Sequence, residues 1–144
     1  MIRRMLQPEA MSVRCLIVDD NPDFLRVARM LLEREGISVV GVASNAAQAL
    51  RSCRELKPDV ALVDIDLGEE SGFDVGRQLV GREGAELTRV ILISAYSGDD
   101  FAEMIADSPA LSFLSKARLS GAAIRVVLAR AGGRPGAGSQ RDSR

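Results

Sequence analysis

A doubly wound α/β sheet, with five parallel strands and helices on both faces, is the fold that this 144-residue sequence predicts. Three observations lead there. Apolar runs rich in Val and Ile recur at 15–18, 37–43, 60–63, 90–94 and 111–114. They are near-continuous rather than alternating, as in parallel strands covered on both faces. Segments with helical spacing separate successive runs, and right-handed crossovers then distribute five helices over the two faces. Finally, four of the five runs end in a chemically capable polar side chain, on the rim where open α/β sheets bind ligands.

Each element has a local reason. Asn21-Pro22 starts the first helix, with Pro at the first helical position. Phe24, Leu25, Ala28, Leu31 and Leu32 fall on one face, and Gly36 closes it. Ser44 or Asn45 caps a second helix that carries Ala49, Leu50, Cys53 and Leu56 and stops before Pro58. A third covers 72–80. A fourth runs over 99–107 with Phe101, Met104 and Ile105 inward, and a fifth starts at Ser120 and carries Ile124, Val127 and Leu128. Met30 and Met104 read as core residues, and Cys15 and Cys53 as buried apolar fillers. Residues 1–12 read as an irregular lead in which Met5 or Met11 is an alternative start, and 13–130 as one domain. Residues 131–144 read as a Gly- and Arg-rich tail, too poor in apolar groups to become ordered.

Composition excludes several classes of function. Nineteen Lys and Arg against 20 Asp and Glu leave a net charge of −1, so no basic field points to direct nucleic-acid binding. No apolar stretch reaches the roughly 20 residues of a membrane-spanning helix. The opening Met1-Ile2-Arg3-Arg4 is not followed by the apolar core of a secretory signal. The expectation is a cytoplasmic domain without membrane insertion. The two Cys match neither a metal nor a redox spacing, and a sequence with no His excludes imidazole catalysis and imidazole ligation.

The rim is where chemistry concentrates. The first run ends in Asp19-Asp20, the third in Asp64 with Asp66 beyond it, the fourth in Ser94 and the fifth in Lys116. The second ends in Ala43-Ser44, without charge, as an outer strand would. Taken singly, an Asp here caps a helix or a loop and a Lys is a surface charge. Taken together they form a costly arrangement, since two carboxylates about 5 Å apart repel by roughly 3 kcal/mol at an effective dielectric of 20. One ammonium does not offset three carboxylates. A divalent cation does, and an all-oxygen donor set suits Mg²⁺ rather than Zn²⁺. A cation with open positions, an ammonium and a hydroxyl donor together suit a phosphoryl group.

These residues carry a resemblance. The segments Cys15-Leu-Ile-Val-Asp-Asp20, Val60-Ala-Leu-Val-Asp64, Ile91-Leu-Ile-Ser94-Ala95 and Phe113-Leu-Ser-Lys116 resemble the response-regulator receiver domain of two-component signalling, over roughly residues 13–130. The separations match too: 44 residues from Asp20 to Asp64, 30 to Ser94 and 22 to Lys116. So does the loop after Asp64, with a glycine eight residues on, at Gly72. The resemblance implies a flavodoxin-like sheet of strand order 2-1-3-4-5. It makes Asp64 the phosphoacceptor for a sensor histidine kinase or phosphotransfer protein. Asp20 would bind Mg²⁺ directly and Asp19 mainly through water, with Asp64 and the backbone carbonyl of Asp66 completing the protein's ligands. Lys116 would pair with the phosphoryl oxygens, Ser94 would hydrogen-bond to them, and Phe113 would be the switch aromatic. The fourth helix, fifth strand and fifth helix would form the surface read by a downstream partner or a second copy. Such a domain catalyses only its own phosphorylation and dephosphorylation, so it is a switch rather than an enzyme acting on a separate substrate.

Three positions depart from the family pattern. Ala117 follows Lys116 where Pro with a cis bond is usual. A cis bond to Ala costs about 2.5–4 kcal/mol, so the bond is expected to be trans unless the site imposes strain. Leu67-Gly68 replaces the usual Met-Pro and loosens that loop. Asp66 and Tyr96 flank the acceptor and are expected to set the lifetime of the acyl phosphate through water access. Three other readings compete. The pair Asp64-Ile65-Asp66 also suits a haloacid-dehalogenase-type phosphatase, but the further metal-binding acids expected after Lys116 are missing and the chain has no cap insertion. A receiver-like module that binds a partner without phosphorylation is opposed by the complete acidic set. A receiver cut from a transcription factor is opposed by the lack of a helix-turn-helix pattern after Arg130. The expectation is therefore a stand-alone receiver.

Overall fold

The computed structural model describes residues 12–81 and 88–132. Along these the elements run β1 (Arg14–Val18), α1 (Pro22–Arg34), β2 (Ser38–Ala43), α2 (Ala46–Leu56), β3 (Val60–Asp64), β4 (Asp66–Leu67), β5 (Glu70–Ser71), α3 (Gly72–Gly81), β6 (Arg89–Ser94), α4 (Ala102–Ala106), β7 (Ser112–Ser115) and α5 (Gly121–Gly132). Five strands form one parallel sheet in the order β2-β1-β3-β6-β7. The expected order is 2-1-3-4-5. The labels differ because β4 and β5, a two-residue antiparallel hairpin that the sequence does not announce, intervene between β3 and α3. Such short pairs lack the apolar run by which strands are recognised.

The sheet is covered on both faces. On one, Leu16, Val18, Ala61, Val63, Val90 and Leu92 pack against Ala49 and Cys53 of α2 and Phe73, Val75 and Leu79 from α3. On the other, Cys15, Ile17, Val60, Leu62, Ile91 and Ile93 meet Ala28 and Leu32 of α1 and Ile124 of α5. Alternation of side chains along each strand feeds both layers, which is why the three central strands read as unbroken apolar runs. The outer strands are less covered: β2 and β7 are largely half-buried, since each has one neighbour instead of two.

Register places the strand ends level. Val18 pairs with Val63, Asp64 with Ile93 and Ser94 with Ser115. The polar residues that close β1, β3, β6 and β7 therefore emerge along one edge. Side-chain caps start the helices beyond β1 and β2: the Asn21 side chain accepts the N–H groups of Asp23 and Phe24, and Asn45, rather than Ser44, caps α2 by accepting from Gln48.

Several expectations need correction. The fourth helix is not continuous over 99–107. A 3₁₀ turn at Gly98–Phe101 leads into an α-helix of only five residues, so its buried side reduces to Phe101 and Ile105, four residues apart. Met104, expected inward, is 50% exposed because it lies one position off that line. Met30 is 53% exposed, two residues from Ala28 and so nearly opposite the stripe of Ala28 and Leu32. Leu111, placed in the last strand, precedes it and is 40% exposed. The closing helix continues through Gly132, two residues past the expected domain end. The remaining lead and tail, residues 1–11 and 133–144, lie outside the described residues, as does 82–87. The peptide bond between Lys116 and Ala117 is trans, and the described residues contain no cis bond.

Candidate functional site

The level strand ends surround a cleft of about 320 Å³ lined by Asp19, Asp20, Asn21, Asp64, Asp66, Gly68, Ser94, Ala95, Tyr96 and Lys116. Six of the seven candidate residues thus meet in one place. Phe113 is absent from this lining. It sits half-buried on β7, paired in register with Leu92, with its ring against Gly98.

Burial grades the acidic residues. Asp19 is fully buried and Asp64 is 6% exposed, whereas Asp20 and Asp66 are exposed at the mouth. Lys116 reaches between the buried pair, with Nζ 2.7 Å from Asp19 Oδ2 and 2.8 Å from Asp64 Oδ2. The trans bond to Ala117 does not prevent this reach. The second oxygen of each carboxylate is held by backbone: the N–H of Asn21 donates to Asp19 Oδ1 at 2.9 Å, and that of Asp66 to Asp64 Oδ1 at 2.8 Å. On the neighbouring strand, Ser94 is buried and its Oγ accepts the N–H of Tyr96 at 3.0 Å. That bond aims the hydroxyl's own proton elsewhere, so Ser94 keeps a donor to offer.

The electrostatics are tense. Burial pushes the Asp64 carboxyl above its ordinary pKa of 3.8; the Lys116 ammonium and the Asp66 N–H pull it back, and Asp19 pushes it further up. For Lys116 burial acts against the charged form, but the bonds to Asp19 and Asp64 outweigh it and leave the ammonium held above its ordinary 10.5. One ammonium is shared by two buried carboxylates, so the trio keeps a net negative charge.

The donor chemistry suits a hard divalent cation: every available ligand is oxygen, and Asp19 Oδ2 is buried with no hydrogen-bond partner beyond its ion pair with the ammonium. The set is not a preformed cage, however. Among the described residues no three carboxylates converge closely enough to enclose a metal by themselves.

Sequence reasoning misses three contributors. The sequence marks Asn21 only as a helix start, yet its N–H holds Asp19. Gly68 has φ +76°, and a Cβ there would stand 3.1 Å from Asp20 Oδ2, so the loop comes close to the acidic mouth because the residue is glycine. Phe24 has the spacing of a core residue but lies beside Lys116. For Asn21 and Phe24 the only available signal is proximity in sequence to the acidic residues, whereas Gly68 is marked by its departure from the family's Met-Pro.

Residues 15–125 match the model of the response regulator receiver domain, which covers most of the chain. This protein belongs to that family, the receiver domains of two-component response regulators. Among curated relatives it is 32% identical over 106 residues to the response regulator GacA of Pseudomonas viridiflava, covering 72% of this chain and 48% of the relative. It is 37% identical over 136 residues to a protein-glutamate methylesterase/protein-glutamine glutaminase of Alkalilimnicola ehrlichii, covering 86% and 34%. The chain therefore spans about half or less of the length of these relatives. Among solved structures, the NarL signal receiver domain of Mycobacterium tuberculosis is similar with a TM-score of 0.70 and 31% identity, covering 85% of this chain and 98% of that one. A LuxR-family two-component response regulator of Aurantimonas gives 0.71 and 28%, covering 81% and 86%. The family assignment removes the phosphatase alternative.

Proposed function

We propose that this receiver is a phosphorylation-controlled switch with Asp64 as the phosphoacceptor, acting in the cytoplasm. The observation that supports this best is the treatment of Asp64 itself: a nearly buried carboxylate at a strand end, one oxygen held by a backbone N–H and the other by a shared ammonium, facing an open cleft. A carboxylate with both oxygens oriented, and with its charged form disfavoured by burial, is placed to act as a nucleophile. Asp64 attacks the phosphorus of a phosphohistidine on a sensor kinase or phosphotransfer protein. The O–P bond forms as the P–N bond breaks, and the imidazole leaves with the bonding electron pair. Lys116, released from Asp64 as that oxygen becomes esterified, pairs with the phosphoryl oxygens. The Ser94 hydroxyl, on the neighbouring strand end, donates to them.

Mg²⁺ would be held by Asp19, Asp20 and Asp64 with the Asp66 carbonyl, and it supplies neutralisation of the phosphoryl charge. The new charge beside Ser94 is communicated along β6 and β7, where Phe113 lies against the exposed 3₁₀ turn at Gly98. The surface of α4, β7 and α5 is then read by a downstream partner or a second copy. Exposed Met104, Leu111 and Val126 give that surface apolar area to bury.

Intact mass after incubation with acetyl phosphate and Mg²⁺ tests the reading. A gain of about 80 Da that disappears in Asp64→Ala and without Mg²⁺ is expected. No gain in a folded wild-type chain would overturn it in favour of a module that binds without phosphorylation.

A further inference from the structure

We propose that Phe24 is a positioning residue for Lys116: the face of its ring holds the ammonium in place between Asp19 and Asp64. Nζ lies 4.0 Å from the ring centroid, well inside the roughly 6 Å range of a cation–π contact. The same nitrogen is 2.7 Å from Asp19 Oδ2 and 2.8 Å from Asp64 Oδ2. The ammonium is thus bounded by two carboxylates from the sheet and by an aromatic face from α1.

One short segment builds two of these three walls. The Asn21 N–H holds Asp19 Oδ1 at 2.9 Å, while the Asn21 side-chain oxygen takes the Phe24 N–H at 3.2 Å. The cap that starts α1 therefore sets both the carboxylate and the ring. Such a restraint is needed here, because the Lys116 stem is flexible and Ala117, not a proline, follows it. A ring also does what a third carboxylate would not. It attracts the cation without fixing the directions of its N–H bonds, so the ammonium stays beside Asp64 yet is free to turn towards a phosphoryl oxygen. The contact stands on geometry alone; its consequence for reaction rests on Asp64 being the phosphoacceptor.

The chain contains two lysines, Lys57 and Lys116. Full-length protein carrying lysine labelled with ¹³C at Cε would show two signals, assigned with Lys57→Arg. Ring shielding is expected to move the Lys116 Hε signal upfield of that of Lys57. The displacement should vanish in Phe24→Leu and persist in Phe24→Tyr, and Phe24→Met replaces the Leu variant should that one not fold. In parallel, phosphorylation by acetyl phosphate with Mg²⁺ should slow by about three- to tenfold in Phe24→Leu and recover in Phe24→Tyr. The proposal is overturned by an unshifted Lys116 signal in the wild type, by a Leu variant that reacts at the wild-type rate, or by a Tyr variant as slow as the Leu variant. An upfield Lys116 signal in a wild type that takes up no phosphoryl group would count against the phosphoacceptor reading and leave the ring–ammonium contact standing.

Discussion

Gly72 passes directly behind Asp64. Its N–H donates to the Ile65 carbonyl at 2.8 Å, and a Cβ on Gly72 would overlap the carbonyl oxygen of Asp64. The glycine that closes the β4–β5 hairpin is therefore what allows α3 to begin against the end of β3, and it fixes the backbone that carries Asp64. Gly72→Ala has no flexible side chain to displace and must move backbone. The expected loss is about 3 kcal/mol or more, read as a lowered urea midpoint, with phosphoryl uptake falling at the same time. An unchanged midpoint would show that the strand end yields easily.

Asp64→Asn should stabilise the protein. Burial raises the carboxyl's pKa in the folded chain above its ordinary 3.8, so the folded state binds that proton more tightly than the unfolded state does. The stability associated with the group is fully present below 3.8 and is lost as pH rises through the shifted value. At pH 7.5 in EDTA the Asn variant is expected to melt a few degrees higher than wild type. The advantage should shrink to nothing in strong acid. A variant that melts lower at neutral pH would contradict the balance described for the site.

Lys116→Met should do the opposite. It leaves Asp19 and Asp64 facing each other in a buried place without their shared cation. Removing one partner of a buried pair usually costs about 3–5 kcal/mol, and roughly 2–4 kcal/mol is expected here because the Lys116 side chain is 19% exposed. The cost should diminish as pH falls and Asp64, whose pKa burial raises, takes up its proton. Denaturant curves at pH 7.5 and pH 4 measure both.

Neither thiol should react in the folded chain. Burial pushes the Cys15 thiol from its ordinary 9.0 up to about 12, and Cys53 is raised for the same reason. At pH 8 a thiol-specific reagent is expected to modify no cysteine in the native protein and both in denaturant. Above pH 9.0 the unfolded chain releases the Cys15 proton while the folded one keeps it, so stability should decline between pH 9.0 and about 12. Rapid native labelling of Cys15 would show that β1 opens.

Asp66 and Tyr96 both line the cleft, and Tyr96 is 63% exposed above the buried Ser94. Replacing both by Ala is expected to change the dephosphorylation rate by altering water access to the acyl phosphate. An unchanged half-life of the phosphorylated chain would remove these two residues from the control of lifetime.

The features legible in the sequence have a common character. The central strands are unbroken apolar runs because both faces are covered, and the helix starts are local events of capping, so Asn21, Pro22 and Asn45 can be read directly. Asp19, Asp64, Ser94 and Lys116 are legible because each ends such a run. The rest is not, for reasons of packing. Met30 and Met104 are as apolar as the residues that are buried, and only the rotation of α1 and the brevity of α4 turn them outward. The β4–β5 hairpin is two residues long on each side and has no period to detect.

The sequence by itself determined the alternation of strands and helices, and with it the parallel sheet and the single rim on which every charged strand end must fall, since apolar periodicity and chain chirality leave little choice. The tertiary structure alone decided how those ends meet. Register sets Asp64 opposite Ile93, one residue short of Ser94, Lys116 spans two buried carboxylates, and the first turn of α1 lays Phe24 across the ammonium. Most of these contacts join residues far apart along the chain, where no local preference acts. Their distances depend on close packing of the whole core, which a one-dimensional pattern does not encode.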